Sequence, residues 1–189
     1  MLLQLHREID ARAREIAASQ PDWPCCRGCD HCCRHLAEPP RLIRAEWNLV
    51  EDGVAFLPES VQAEIQARIR ASDAHVCPFL DPAAGICLVY QHRPIACRTY
   101  GFYVDRDRGL YCGQIADRVD SGEFAQVVWG NVAGIEARLE SSGPKITLAE
   151  WFSDLPEWPL RPLPTPPSTS PDPCAARSAV RSDPPSAPR

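Results

Sequence analysis

Apolar and charged positions recur at helical spacing within the first twenty residues of the chain. The pair Glu8 and Arg12 stands four residues apart, a spacing that stabilises a helix through ion pairing. The apolar stripe that recurs at helical spacing consists of Leu2, Leu5, Ile9 and Ile16. The pattern predicts an amphipathic N-terminal helix within residues 1–20, ended by Pro21.

Two further helices are predicted after the proline pair at residues 39–40. The first covers residues 45–56, and the second begins at residues 58–60, where a helix-start signal stands. Apolar side chains recur every three or four residues in both, at Trp47, Val50 and Val54, then at Val61, Ile65 and Ile69. We interpret both stripes as core packing, with Gln62, Glu64 and Arg68 of the second helix facing water.

Short strands are predicted between residues 77 and 112. The segments 77–81 and 86–90 flank one turn, and the segments 101–104 and 109–112 flank another. A last long helix is predicted to begin near Asp120 and to carry the stripe Val128, Val132, Ile135 and Leu139. The expected fold class is mainly α, with a small irregular α+β cysteine-rich core that binds metal.

Composition changes abruptly at Pro159. Half of the 20 prolines lie between there and the last residue, mixed with serine, threonine and alanine. Such a segment buries too little apolar surface to offset its ordering entropy. Three regions are therefore predicted: the helix within 1–20, a cysteine-cluster domain over 21–158, and a disordered tail over 159–189 in which Cys174 is a free thiol.

Overall charge and hydropathy exclude several classes of partner. A formal net charge of −5 gives no reason to expect nucleic-acid binding, which needs a basic face. No apolar run is long enough to span a bilayer, and charges interrupt the N-terminal segment where a signal peptide would be apolar. We therefore expect a cytoplasmic, reducing compartment, in which clustered cysteines more often bind metal or catalyse than form disulfides.

The cysteines form two groups. The first is the run Cys26-x-x-Cys29-x-x-Cys32-Cys33, and the second consists of Cys77, Cys87, Cys97 and Cys112. Two residues between cysteines allow both sulfurs to turn onto one centre, so the first three form a ligand unit. Adjacent cysteines point in different directions, which favours a role for Cys33 in a second or bridged centre.

The nature of the metal stays open at this point. The first three cysteines match the ferredoxin spacing, and the pair Cys77-Pro78 lies far downstream, so a distant fourth ligand would couple metal binding to folding. Thiolate ligands bind zinc and iron–sulfur clusters alike. The centre is therefore expected to be an iron–sulfur cluster, of the 4Fe-4S kind, with zinc as the alternative. Buried reduced cysteines or a disulfide framework are the alternatives without metal.

Other side chains near the cysteines have weaker signals. Cys25 does not fit the two-residue spacing and is interpreted as an extra thiol, with a role as a further ligand as the alternative. Arg93 and Arg98 are predicted to offset thiolate charge and donate hydrogen bonds to sulfur, or alternatively to form surface ion pairs. Four histidines could ligate zinc or simply be solvated: His31, His35, His75 and His92. No motif pairs a nucleophile with a base.

Taken together, these motifs resemble the YkgJ-type cysteine-cluster family. The residues that carry the resemblance are the run from Cys26 to Cys33, then Cys77-Pro-Phe-Leu80, Gly85-Ile-Cys87-x-x-Tyr90, Arg93-Pro94 and Cys97-Arg98. The family's domain, called CxxCxxCC, is described as chelating zinc or iron, and the resemblance implies one metal site built from the eight cysteines of the two groups.

Three functions follow from this resemblance and from the cysteine spacing. The first is an iron–sulfur protein for electron transfer or redox chemistry, an oxidoreductase with an unidentified redox or protein partner. The second is a zinc- or iron-chelating protein with a structural, storage or delivery role. The third is a cluster-supported enzyme, since a flagellin lysine methylase is similar in carrying a related cysteine cluster.

Overall fold

Helices make up most of the regular structure in the residues that the computed structural model describes, which are 1–36, 38–71, 75–107, 109–110 and 112–153. The helices are α1 (Leu2–Ser19), α2 (His31–Arg34), α3 (Arg44–Ala55), α4 (Glu59–Ala71), α5 (Ile95–Thr99), α6 (Gly113–Asp120), α7 (Val132–Leu139) and α8 (Leu148–Ser153). The mainly α fold class is confirmed. The predicted tail over 159–189 lies outside the described residues.

Strands are short and occur in three small sheets. They are β1 (Arg41–Leu42), β2 (Leu80–Asp81), β3 (Ile86–Cys87), β4 (Tyr103–Asp105), β5 (Gly109–Leu110), β6 (Gly130–Asn131) and β7 (Ile146–Thr147). The hairpins β2–β3 and β4–β5 are antiparallel, β6 lies parallel to β4, and β1 pairs with β7. Both predicted hairpins are therefore present, with fewer paired residues than the sequence suggested.

Apolar side chains pack into three clusters. The first cluster joins α3, α4 and α8 through residues such as Trp47, Ile65 and Trp151. The second cluster joins α1, α5 and α7 through residues such as Ile9 and Ile135, and the third consists of Ile16, Trp23, Cys112 and Ile115. Cysteines belong to the first and third clusters, so part of the cysteine pattern is packed into the core.

Buried polar groups fasten the helices that surround the cysteines. The Arg98 guanidinium lies 2.7 Å from the Asp10 carboxylate, which ties α5 to α1. The buried Glu46 carboxylate accepts hydrogen bonds from the backbone of Ile43 at 3.2 Å and of Ile95 at 2.8 Å. These bonds satisfy free N–H groups at the starts of α3 and α5 and fix the two helices relative to each other.

Two details of the predicted helices are wrong. Gln62 does not face water: it is fully buried, and its Nε2 donates to the Leu57 carbonyl at 3.0 Å. Asp120 ends α6 rather than starting the last long helix, which begins at Val132 behind the Asn131 side-chain cap. Val128 is accordingly exposed, at 68%. None of the described helices is long and apolar enough to cross a membrane.

Candidate metal centre

Nine thiols line one cavity of about 60 Å³. They comprise all eight cysteines of the two predicted groups and one more: Cys26, Cys29, Cys32, Cys33, Cys77, Cys87, Cys97, Cys112 and Cys25. A water molecule needs roughly 10–15 Å³ of such space, so the cavity has room for a group of several atoms. The structure thus brings both cysteine groups to the same place, although they are far apart in sequence.

The N-terminal group lies on a tight loop that leads into α2. The amide of Cys29 donates to the Cys26 carbonyl at 3.0 Å, and Gly28 adopts a positive φ of 91° that favours glycine. The single turn of α2 then presents Cys32 and Cys33. This local folding is what the Cys-x-x-Cys spacing requires to turn successive sulfurs to one side.

Two of the contacts that hold this loop against the rest of the chain lead to the segment around the β2–β3 hairpin. The Cys77 amide donates to the Cys33 carbonyl at 2.7 Å. Arg34, held by Asp30 at 2.6 Å, donates to the Pro82 carbonyl at 3.1 Å. The loop is therefore attached to the β2–β3 hairpin at two points, next to the downstream cysteines.

The second group of cysteines comes from four different elements. Cys77 precedes β2, Cys87 lies in β3 opposite Leu80, and Cys97 lies in α5. Cys112 stands directly before the first turn of α6. The even spacing of these cysteines in sequence thus reflects one thiol per element as the chain returns repeatedly to the cavity.

Burial raises the pKa of most cavity thiols. It is the largest cause at Cys25, Cys29, Cys87, Cys97 and Cys112. Cys32 and Cys33 are close neighbours, with their sulfurs 4.0 Å apart. The hydrogen bond to Cys33 raises the pKa of Cys32. The bond to Cys32 lowers the pKa of Cys33, but a bond to Cys77 and burial outweigh it and raise that pKa to about 12.

The high pKa values have a chemical consequence. A metal takes up thiolates rather than thiols, so binding must displace protons from these sulfurs. No three His, Cys, Asp or Glu side chains of the described residues already stand in an arrangement that holds one metal ion. The donor set nonetheless fits a thiophilic metal, because nine soft sulfur atoms face the same cavity.

The two arginines singled out from the sequence lie in different places. Arg93 lines the cavity, with its guanidinium carbon 3.7 Å from the centre of the Tyr90 ring and its Nε donating to the Tyr90 carbonyl. Its charge lowers the pKa of Cys87 and Cys97, against the larger effect of burial. Arg98 instead donates to Asp10 and to the carbonyls of Gln91 and Arg93, and it is not among the residues that line the cavity.

The four histidines also differ in their position relative to the cavity. His31 lines the cavity, and its ring lies 4.6 Å from that of His35. His35 uses its Nδ1 on the His31 carbonyl. His75 is exposed, while His92 packs against Gly53 of α3 and is not part of the cavity lining. Of these four, His31 is the one whose position makes it available as a nitrogen ligand.

One residue that the spacing of the cysteines did not include in the ligand unit lines the cavity in the structure. Cys25 precedes the Cys-x-x-Cys run and breaks its spacing, yet its thiol lines the same cavity as the other eight. Tyr100 stands three residues after Cys97 in the sequence. It also lines the cavity, and burial together with nearby thiols raises its pKa to about 12.

A comparison with protein families agrees with this geometry. The family model described as "CxxCxxCC: Putative zinc- or iron-chelating domain" matches residues 25–120, just over half of the chain. The matched segment contains every cysteine that lines the cavity. No curated protein and no solved structure matches the chain.

Proposed function

The chain belongs to the CxxCxxCC family, and from that premise we propose that its cysteine cavity holds an iron–sulfur centre used for electron transfer or redox chemistry. The observation that carries the proposal is the number of thiols around one cavity, which is nine. A single structural zinc takes four ligands, so one zinc would leave more than half of these sulfurs unused. A polynuclear site or two neighbouring sites would use more of them, because one iron–sulfur cluster likewise takes four cysteines.

Neighbouring cysteines support a centre of this kind. Cys32 and Cys33 both line the cavity although they are adjacent in sequence. Their sulfurs stand 4.0 Å apart, so they can bind one metal atom together or two atoms of one polynuclear group. This arrangement leaves room for the second or bridged centre expected for Cys33.

The residues around the thiols suit a redox role. When bound, an iron–sulfur cluster supplies one-electron transfer at a potential set by charge, burial and hydrogen bonds to sulfur. Cysteines of the cavity would hold it, four to each cluster, and Arg93 would offset part of the negative charge of their thiolates. Apolar neighbours such as Phe79, Val89 and Leu148 line the same cavity and limit the access of water to the sulfurs.

A second candidate is a zinc- or iron-chelating protein with a structural, storage or delivery role. One observation favours it: His31 lines the cavity beside the thiols, and mixed cysteine–histidine sets are common around zinc. Such a protein would be colourless with zinc and would have no electron partner.

Metal analysis with an absorption spectrum tests the proposal on full-length protein purified without oxygen. We expect iron, acid-labile sulfide and a broad visible band. Zinc alone, with no such band after reconstitution with iron and sulfide, would exclude the iron–sulfur proposal in favour of the second candidate. A chain that binds no metal at all would exclude both.

Serine variants test the cysteines themselves. Cys29→Ser removes a thiol from the N-terminal loop and Cys87→Ser one from β3, and we expect both to lose metal and to melt at a lower temperature. Cys174→Ser is the matched control and should change neither property. Full metal content and an unchanged melting temperature in Cys29→Ser would show that this thiol is not a ligand.

A further inference from the structure

Cys25 lies on the wall of the cavity, next to Tyr100 and Gly101. Its sulfur lies 3.9 Å from the Tyr100 carbonyl, at the far limit of a hydrogen bond to sulfur, so the thiol has only a weak partner there. Gly101, at a positive φ of 81°, comes close on the same side. A Cβ at that glycine would stand 3.5 Å from the Cys25 sulfur and 3.1 Å from the Ile115 side chain.

Cys25 shares the cavity wall with other thiols. It lines the same cavity as the eight cysteines of the two groups. It also packs against the third cluster, to which the buried Cys112 belongs. Burial raises the pKa of the Cys25 thiol, and the charges of Cys29, Cys32 and Cys112 raise it further. Cys25 therefore stands among the soft sulfur donors from which a thiophilic metal takes its ligands.

We propose that Cys25 is a ninth thiolate ligand of the metal centre, beside the eight cysteines of the two groups. This inference rests on the proposed metal-binding function and extends it to a thiol outside the Cys-x-x-Cys run. Binding exchanges the S–H bond of Cys25 for a sulfur–metal bond, and the proton is released to solvent, with no change of oxidation state.

A purely structural role is the competing explanation. Cys25 also packs against the third cluster, which contains Trp23 and Ile115, and a reduced cysteine can act as a small apolar side chain. The two roles predict different effects for a substitution at Cys25. Valine supplies apolar volume without a donor atom, so it preserves packing and removes ligation.

Cobalt(II) titration of the full-length, reduced chain distinguishes the two roles. Thiolate ligands produce an intense sulfur-to-cobalt charge-transfer band, and its intensity rises with the number of bound thiolates. We expect Cys25→Val to weaken this band and to lower cobalt affinity about 10-fold or more, as even outer partners of a metal site cause 10–100-fold losses. The melting temperature of the metal-free variant should stay close to that of the parent chain.

Two comparison variants make the outcome decisive. Cys26→Val removes a thiol of the Cys-x-x-Cys run from the same loop and should reduce both band and affinity, whereas Cys174→Val should change neither. If Cys26→Val behaves in this way and Cys25→Val binds cobalt like the parent chain, the ninth ligand is refuted and the proposed function stands. If the parent chain itself binds no cobalt through sulfur, the metal centre is refuted, and the ninth ligand with it.

Discussion

His6 shows at the scale of a single residue how burial opposes ionisation. The side chain is 5% exposed on the inner face of α1, and its Nε2 has no hydrogen-bond partner among the described residues. Burial lowers its pKa from 6.5 to about 4, with a further contribution from the Arg98 guanidinium and an opposing one from Asp10. The imidazole is therefore neutral in the folded chain at neutral pH.

This lowered pKa predicts an acid-sensitive contribution to stability. Between pH 6.5 and about 4 the unfolded chain binds a proton at His6 and the folded chain does not, so acidification favours unfolding. The free energy of unfolding should lose about 3 kcal/mol across this range on account of His6, and nothing further on its account below it. Urea unfolding from pH 7 to pH 4 measures the loss.

Substitution isolates the contribution of this residue. His6→Leu should unfold with a flatter pH dependence than the parent chain, and His75→Leu, which alters an exposed histidine, should keep the parent slope. Metal loss in acid affects all three proteins alike and so cancels in the comparison. Equal slopes for His6→Leu and the parent chain would contradict the assignment.

The sequence predicts which residues share the cavity better than it predicts how they point. Eight cysteines were expected at one site, and all eight line one cavity, because dense thiols in a short segment have few other uses. Arg93 and Arg98 could not be separated in advance. The direction of Arg98 is set by Asp10, which is distant in sequence and becomes a neighbour only once α1 packs on α5.

At the scale of elements, β6 fits against β4 because it carries a glycine. Gly130 pairs with Tyr103, and a Cβ at this glycine would overlap the tyrosine ring. Tyr103 is buried in the second cluster and cannot swing into solvent without loss of packing. The close approach of the two strands thus depends on a missing side chain.

Alanine at this position should therefore destabilise the fold. We expect Gly130→Ala to lower the free energy of unfolding by about 1–3 kcal/mol, the usual range for overpacking. Gly134, a few residues along in α7, has nothing within 4 Å of its added Cβ. Gly134→Ala should stabilise the helix by up to about 1 kcal/mol. Thermal unfolding of both variants decides the matter, and a stabilised Gly130→Ala would refute the close contact.

Helices with a continuous apolar stripe were predictable, and those defined by tertiary contacts were not. The bounds of α1 follow from its regular stripe and from the proline after it. By contrast, α6 was missed, since of its eight residues Ile115 alone is buried. Val128 extends the stripe of α7 by spacing alone, but Gly130 and Asn131 pair with β4 and hold the chain extended before α7 begins.

At the scale of the whole molecule, the three clusters depend on the cavity to different degrees. The first cluster contains Cys77, and the third contains Cys112. The second cluster, between α1 and α7, contains no cysteine among the members named for it. Order in the cavity should therefore be coupled to metal binding, whereas the packing of α1 on α7 should have its own stability.

Hydrogen exchange after metal removal tests this division of stability. Thiols with raised pKa values become protonated when a chelator takes the metal, and the bonds that joined the N-terminal loop to the body through sulfur are lost. The amides of Cys29 and Cys77, which bond the Cys26 and Cys33 carbonyls, should then exchange much faster. Amides in the last turn of α7 should keep most of their protection, because Ile135 and Leu139 stay packed on α1.

The pattern of exchange separates three physical situations in the reduced, full-length chain. Faster exchange at the cysteine amides alone would show that the metal orders the cavity locally, as we expect. Equal loss of protection in α7 would show instead that the whole molecule folds as one unit with its metal. Unchanged exchange at Cys29 and Cys77 would contradict the coupling, because contacts such as those of the Cys33 carbonyl and Arg34 would then keep the loop stable without any ligand at its thiols.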